Sequence, residues 1–373
     1  AQATTTTPPT FAAMGQRSSR PPRRGSEPSA QKSSGDGRSN TRRLLWGHSC
    51  MQGWRENMED AHLARSGLLP AGRLGGWAEP ALFGVMDGHG GEQVARFCEV
   101  YLPGEIARRP SHDVPAALRG AFLRVDEMLA DPRTLPTLRA LSSRATSPAR
   151  LADPNDIGCT ACVSCVCREK IFVANVGDCR AVLCRGGKAI DMSEDHKPEQ
   201  PAELARIFGA GGCVLSHRLG TRVVYRVNGD LSLSRSLGDL RYKQNPLLPP
   251  EAQIVSGAPD VRTFQRHPND EFMVLACDGI WDVLSSQQVV DFIRPSLQEV
   301  LAGTLKPSEL AEDILDYCLS PDPVKTYGIG GDNMTMVIVV FAGKPHSFSP
   351  QIPKAEGLPS LLGCGPFSRK RSL

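Results

Sequence analysis

The chain has 373 residues, 40% hydrophobic and 22% charged, with a formal net charge of +3. This is ordinary for a globular protein able to bury a full core, and no apolar stretch reaches membrane-spanning length. Without a secretory pattern, and with twelve cysteines scattered through strand-like runs, the reading is a soluble intracellular protein, cytoplasmic or nuclear, with reduced thiols.

The charge is uneven. Residues 1–50 hold eight Lys/Arg against two Asp/Glu and residues 344–373 hold five against one, so the body between them is acidic. Basic tails this short read as solvated segments, and no nucleic-acid partner is expected. Residues 1–40 are rich in Thr, Pro, Ser, Gly and Arg, which predicts a disordered N-terminal tail. Within it, Met14-Gly15-Gln16-Arg17-Ser18-Ser19 fits the myristoylation pattern. Gly15 could be acylated, giving a membrane contact, only if translation began at Met14.

Next comes Gly53-Trp54-Arg55-Glu56-Asn57-Met58-Glu59-Asp60-Ala61-His62. Read as a strand, it puts Arg55, Asn57 and Glu59 on one face. An arginine fork suits a phosphate and adjacent carboxylates suit a cation, although a surface ion pair would look the same. The run 81–87 then ends in Asp87-Gly88-His89-Gly90-Gly91. An acid just past a buried strand faces outward and needs a partner. The glycines let a ligand approach closely, and a helix starting near Glu92 aims its amides at the turn. Helical spacing follows in Val94, Phe97, Cys98 and Tyr101, and again in Leu118, Phe122, Val125 and Leu129.

Residues 131–156 are polar and contain proline, which predicts a surface insertion. Short turns at Arg168-Glu169-Lys170, between the runs 159–167 and 170–176, and at Arg185-Gly186-Gly187-Lys188, after the run 181–185, predict antiparallel hairpins. Cys159, Cys162, Cys165 and Cys167 belong to that first run, where alternation of faces keeps four sulfurs from one zinc ion. Asp278 ends the run 271–277 and precedes Asp282 by four residues. A helix cap followed by a surface acid is the plain alternative. Helical patterns near 287–301 and 309–319 lead to Asp332-Asn333, a turn or a ligand pair, before the strand 334–341. Several strand-end acids at once suggest a hard divalent cation. Residues 343–373 form a short Pro-rich basic tail.

Seven blocks in order now carry a specific resemblance: GWRENMEDAH (53–62), VMDGHGG (85–91), VGDCR (176–180), DHKP (195–198), RVNGDLSLSRSLGD (226–239), ACDGIWD (276–282) and GDNMT (331–335). Over roughly 41–342 the chain resembles the type 2C metal-dependent protein Ser/Thr phosphatases, or PPM family, nearest their alpha/beta branch. The resemblance implies an α+β fold, a four-layer αββα sandwich of two antiparallel sheets flanked by paired helices. It also implies a catalytic domain over 41–342 holding two Mg2+ or Mn2+ ions. In that likeness Asp87 bridges the ions, Asp278 and Asp332 serve one, and Glu59 and the Gly88 carbonyl serve the other. Asp60 acts through water, Arg55 binds phosphate, His89 is the general acid, and Asn333 stands behind the ligands.

The chemistry agrees with the likeness. Two cations can activate a shared water, an arginine can orient the phosphoryl group, and a serine or threonine leaving group needs a proton. The expected partners are phosphorylated proteins, met by a monomer. The alternatives are a pseudophosphatase that binds phosphoproteins without turnover, and a phosphatase of small esters. Two departures stand out. Where the family has Asp-x-Ser-Gly-Ser-Thr the chain reads Asn155-Asp156-Ile157-Gly158-Cys159-Thr160, leaving a third metal near Asp282 in doubt. In place of the branch's appended helical region there is only the basic tail.

Overall fold

The computed structural model describes residues 27–343 apart from 41–42, 68–79, 110–111, 143–152 and 220–221. The first strands are β1 (Ser29–Ser39), β2 (Leu44–Gly53), β3 (Ala61–Arg65), β4 (Ala81–Met86) and the short β5 (Gly88–His89). Helices α1 (Gln93–Ala107), α2 (Val114–Ala130) and α3 (Leu135–Ala140) come next. Then follow β6 (Gly158–Cys159), β7 (Ala161–Val166), β8 (Lys170–Val176), β9 (Arg180–Arg185) and β10 (Lys188–Asp191). Helix α4 (Pro201–Gly209) precedes β11 (Val214–Leu219), β12 (Arg222–Val227), β13 (Leu237–Gly238), β14 (Asp260–Gln265) and β15 (Asp270–Ala276). The last elements are α5 (Asp278–Trp281), α6 (Ser286–Ile293), α7 (Leu297–Ala302), α8 (Pro307–Cys318) and β16 (Met334–Phe341).

Two antiparallel sheets form, in the orders β1-β2-β16-β15-β9-β10 and β14-β8-β7-β4-β3. They face each other across Trp46, Phe83, Val85, Ile171, Met273 and Val339. Helices α1 to α3 cover the outer face of the five-stranded sheet through Phe97, Leu118, Phe122 and Leu138. Helices α6 to α8 cover the other through Val289, Ile293, Leu310 and Ile314. The architecture is the expected four-layer sandwich. It also explains the unbroken apolar runs, because β4, β7, β15 and β16 are buried at every position. Each such Val, Leu or Ile contributes about 1.5–3 kcal/mol by leaving water.

Several expectations change. The tail over 1–40 gives way at its end to β1, which pairs with β2 from Ser29 to Ser39. Composition hid this strand, whose hold is a backbone ladder plus close packing. A Cβ on Gly37 would lie 2.3 Å from Trp46 Cζ2, so glycine lets the indole lie flat on the strand. The Asp36 carboxylate also accepts from the Ser308 amide and hydroxyl at 3.0 and 2.6 Å, fastening β1 to α8. The strand expected through Arg55 is a turn after β2, with Glu59 and Asp60 in the stretch leading into β3. The insertion over 131–156 contains α3, whose Leu138 is fully buried against the first helix pair. The helix near 287–301 is two, split by a tight turn at Arg294–Ser296 where Pro295 sits. Gly15 and the tail after 343 lie outside the described residues.

Cys162 faces the sandwich interior while Cys159 and Cys165 face the helices, so these sulfurs diverge. Every described cysteine is a free thiol, and among the described residues no helix is long and apolar enough to cross a membrane.

A smaller lobe of α4 and the hairpin β11–β12 packs on Ile207, Val227, Tyr242 and Val255. Buried Glu203 ties it down, accepting from Arg206 and Arg235 at 2.6 Å and from the Ser234 hydroxyl at 2.7 Å. Burial alone would raise this carboxyl, but the two guanidiniums draw it down to about 2. The stabilisation is therefore present above the ordinary glutamate range and lost as pH falls toward 2. Glu203→Ala should destabilise the fold by about 3 kcal/mol, because Arg206 loses its carboxylate partner and Arg235 one of its two. Thermal unfolding at neutral pH and at pH 3 checks this, and the gap between wild type and variant should shrink at the lower pH.

Candidate metal centre

The sheet registers bring the strand-end acids to one edge of the sandwich. Met86, the residue before Asp87, pairs with Ala61, the residue after Asp60. Ala276, two before Asp278, pairs with Met336, and Met334, two after Asp332, pairs with Met51 on the strand that runs toward Arg55. Ligand atoms of Asp60 and Asp87 lie within 4.8 Å of each other and of the Cys277 sulfur.

These carboxyls are strongly perturbed. Burial, then the neighbouring Asp60, Asp278 and Asp332, drives Asp87 well above the ordinary range. Burial, then Asp178 and Asp332, does the same to Asp278. Glu59 rises chiefly through burial, against the pull of His89 and Arg55. Asp60 accepts from the Thr335 hydroxyl at 2.7 Å through Oδ2. Its Oδ1 and the Oδ1 of Asp278 are buried with no hydrogen-bond partner. Orphaned carboxylate oxygens in an array of acids are a donor set suited to a hard divalent cation. Burial, and then Asp60, pushes the Cys277 thiol well up, and its sulfur lies 3.5 Å from the Asn333 carbonyl and 3.2 Å from the Thr335 amide.

Gly88 lies in β5, paired with Cys159 of β6, and its backbone packs under the Glu59 carbonyl. A Cβ there would come within 2.2 Å of that oxygen, so glycine is what lets Glu59 and the Gly88 backbone share one place. Asn333 fixes the other side of this loop. Its Nδ2 donates to the carbonyls of Gln52 and Asn57 at 2.8 and 2.9 Å, and its Oδ1 accepts from the Glu59 amide at 2.9 Å. Asn333→Ala removes all three bonds from a buried site and should destabilise the protein by about 1–3 kcal/mol. It should also raise the cation concentration needed for half-maximal activity, read from a Mn2+ titration.

Arg55 stands half-exposed at the rim with its guanidinium on Asp332. His89, partly exposed, has its Nε2 2.7 Å from Asp239 Oδ2. Burial lowers the imidazolium and Asp239 raises it, with a net rise. The structure thus gathers Arg55, Glu59, Asp60, Asp87, Gly88, His89, Asp278 and Asp332 at one edge.

Comparison with known proteins bears directly on this arrangement. Residues 45–326 match the model of the Protein phosphatase 2C family. The chain belongs to that family. It is 41% identical over 349 residues to "Probable protein phosphatase 2C 11" of Oryza sativa subsp. japonica, covering 85% of this chain and 90% of the relative. It is also 41% identical to "Protein phosphatase 2C homolog 2" of Schizosaccharomyces pombe, over 85% of this chain and 77% of that one. Among solved structures, serine-threonine phosphatase 2C from Toxoplasma gondii superimposes with a TM-score of 0.60 at 20% identity, covering 80% of this chain and 94% of the other. A further Toxoplasma gondii phosphatase gives 0.61 at 23% identity, with 83% and 96% covered. These two likenesses speak to the fold, which they share with this chain. The chain is a metal-dependent protein serine/threonine phosphatase.

Three groups at the phosphatase site carried no role in the sequence reading, although each lay in a quoted block. Buried Asp178 follows β8 and holds Lys197 Nζ at 2.5 Å. Burial lowers that ammonium, but Asp178 and Asp278 raise it well above its usual range. Lys197 thus brings a fixed positive charge beside the carboxylate cluster. Asp239, on His89, is the third. A carboxylate alternating with small residues, as in Ser234-Arg235-Ser236-Leu237-Gly238-Asp239, has no periodic signal to reveal it.

Asp282 caps α5 and accepts from Arg222 of the phosphatase's hairpin at 3.2 Å. Asp156 pairs with Arg241 at 3.0 Å, and Asn155 bonds Asp153 and Gln244.

Proposed function

We propose that the phosphatase hydrolyses phosphoserine and phosphothreonine in proteins at this carboxylate cluster, with two Mg2+ or Mn2+ ions as resident cofactors. The observation that carries this is the pair of buried, unpartnered oxygens on Asp60 and Asp278, set among Asp87, Asp332 and Glu59. Asp87 would touch both ions, Asp278 and Asp332 one, and Glu59 and the Gly88 carbonyl the other, with Asp60 acting through water. Bound there, the ions supply an activated water and neutralise phosphoryl charge.

The remaining work falls to the protein. Arg55 stands half-exposed at the rim with Asp332 on one guanidinium nitrogen, placed to grip phosphoryl oxygens and orient phosphorus. His89 gives its proton to the leaving serine or threonine oxygen as the P–O bond breaks. The proposal stops at two ions, since Asp282 is engaged by Arg222, Asp156 by Arg241, and Asn155 offers no carboxylate. Phosphate release from a phosphothreonine peptide, titrated with Mn2+ and Mg2+, tests it. Saturable activation supports the reading, and turnover that persists unchanged in chelator would overturn it.

The free thiols support placement in a reducing intracellular compartment, cytoplasmic or nuclear. The phosphatase is proposed to act as a monomer, away from nucleic acid, with any membrane contact resting on acylation of Gly15. Sizing chromatography and mass spectrometry of the native N-terminus check these points.

A further inference from the structure

The structure assigns Asp239 as the positioning carboxylate of the proton donor, an inference that rests on the phosphatase reading above. Its Oδ2 lies 2.7 Å from His89 Nε2, and it is itself 2% exposed. With Nε2 engaged, the nitrogen left for the leaving oxygen is Nδ1, so Asp239 selects which atom carries the transferred proton.

The carboxylate is built into place from three directions. Its own residue adopts a left-handed backbone with φ of +51°, a conformation that aspartate tolerates better than most side chains other than glycine. The Asp239 amide donates to the Ile157 carbonyl at 2.9 Å, and the Ser236 hydroxyl donates to the same Oδ2 that meets His89. One step farther back, Asp126 of α2 accepts from the Gly238 amide and from Lys243 Nζ at 2.9 and 2.7 Å. Lys243 also donates to the Ser236 carbonyl at 2.7 Å. A buried ion pair thus braces the turn on both sides of Asp239.

The fit around the pair is close. A Cβ on Gly158 would lie 2.3 Å from Asp239 Oδ2 and 2.7 Å from His89 Nε2, so the glycine opposite His89 in the β5–β6 pair leaves room for this contact. Burial and a two-layer brace spent on one carboxylate, aimed at one ring nitrogen, are hard to account for by packing alone. In the reaction, the bond between phosphorus and the side-chain oxygen breaks as the attacking water oxygen bonds phosphorus. The electron pair goes to the leaving oxygen, which takes the His89 proton, and the attacking water releases one of its protons to solvent. Solvent returns a proton to the ring.

The test compares the full-length protein with Asp239→Asn and Asp239→Glu in saturating Mn2+. Each is assayed on a phosphothreonine peptide and on p-nitrophenyl phosphate, whose leaving group needs little protonation. Asp239→Asn should lower kcat on the peptide by about 10–100-fold, with KM little changed, and on the aryl ester by less than about 3-fold. Asp239→Glu should recover part of the peptide rate. In a His89→Gln background the second substitution should cost less than about 2-fold more on the peptide, since the group it serves is gone. Equal losses on both substrates, or full additivity with His89→Gln, would overturn the role. If Asp239→Asn does not fold, Ser236→Ala removes one hydrogen bond from the same carboxylate. It should show the same substrate bias in milder form, and its absence would overturn the role equally. A wild type inactive on both substrates would instead sink the phosphatase reading.

Discussion

Asp278→Ala should abolish turnover while leaving the cation-free fold more stable than the wild type. The carboxyl is buried, its Oδ1 has no partner, and Asp178 and Asp332 add to burial in disfavouring its charge. Removing it relieves like-charge crowding, with an expected gain of about 1–3 kcal/mol in chelator. The same substitution takes one ligand from a centre that supplies several kcal/mol of transition-state stabilisation, so kcat should fall about 10³-fold or more. Thermal unfolding with and without Mn2+ reads both effects. Wild type should gain stability with the cation, and the variant should gain little. The pH dependence has a matching sign. Asp87 and Asp278 sit above their ordinary values, and burial with Asp332 lifts Asp60 to about 7. In chelator their contribution is therefore greatest at acid pH and is lost as pH rises through the folded values. A variant with unchanged cation response and unchanged turnover would remove Asp278 from the centre.

The second large effect is expected for His89→Gln. General acid help is typically worth about 10²–10⁴-fold, and it matters most when the leaving group is a poor one. Phosphoserine and phosphothreonine peptides should suffer a loss in that range, while p-nitrophenyl phosphate should lose far less. KM for the peptide should stay close to wild type, because Arg55 and the cations carry the ground-state contacts. Near-equal losses on the two substrates would show that His89 shapes the site without supplying a proton.

The elements that the sequence revealed are those in which packing and pattern coincide. Strands β4, β7, β8, β15 and β16 are almost wholly buried, so each reads as an apolar block bounded by turn residues. Helix α2 buries the whole stripe that 3.6-residue spacing picks out, and α1 buries Val94, Phe97 and Cys98 of its own with Tyr101 half-buried beside them. The missing elements lack such a stripe. β1, β14 and β12 are mostly exposed or half-buried, and their ladders rest on backbone groups that every residue carries. The site divides similarly. Asp87, Asp278 and Asp332 end or begin conspicuous strands, so their chemistry was legible. Asp239 and Lys197 act through partners 150 and 19 residues away, and no local spacing encodes such a contact. Likewise Arg55 and Glu59 were placed on a strand that proves to be a turn. They reach the centre because Asn333 ties the loop from the far end of the domain.

Strand β16 lies between β2 and β15, so the last described strand of the chain joins the first part of its sheet to the rest. Until residues 334–341 have been synthesised, β1–β2 and β15–β9–β10 are separate ribbons with no ladder between them. Asp332 and Asn333 arrive on the same stretch, bringing a carboxylate and the clamp for Glu59 together. A chain truncated before this strand should therefore lack phosphatase activity. The pairing also spans nearly the full length of the domain, the kind of long-range contact that slows folding.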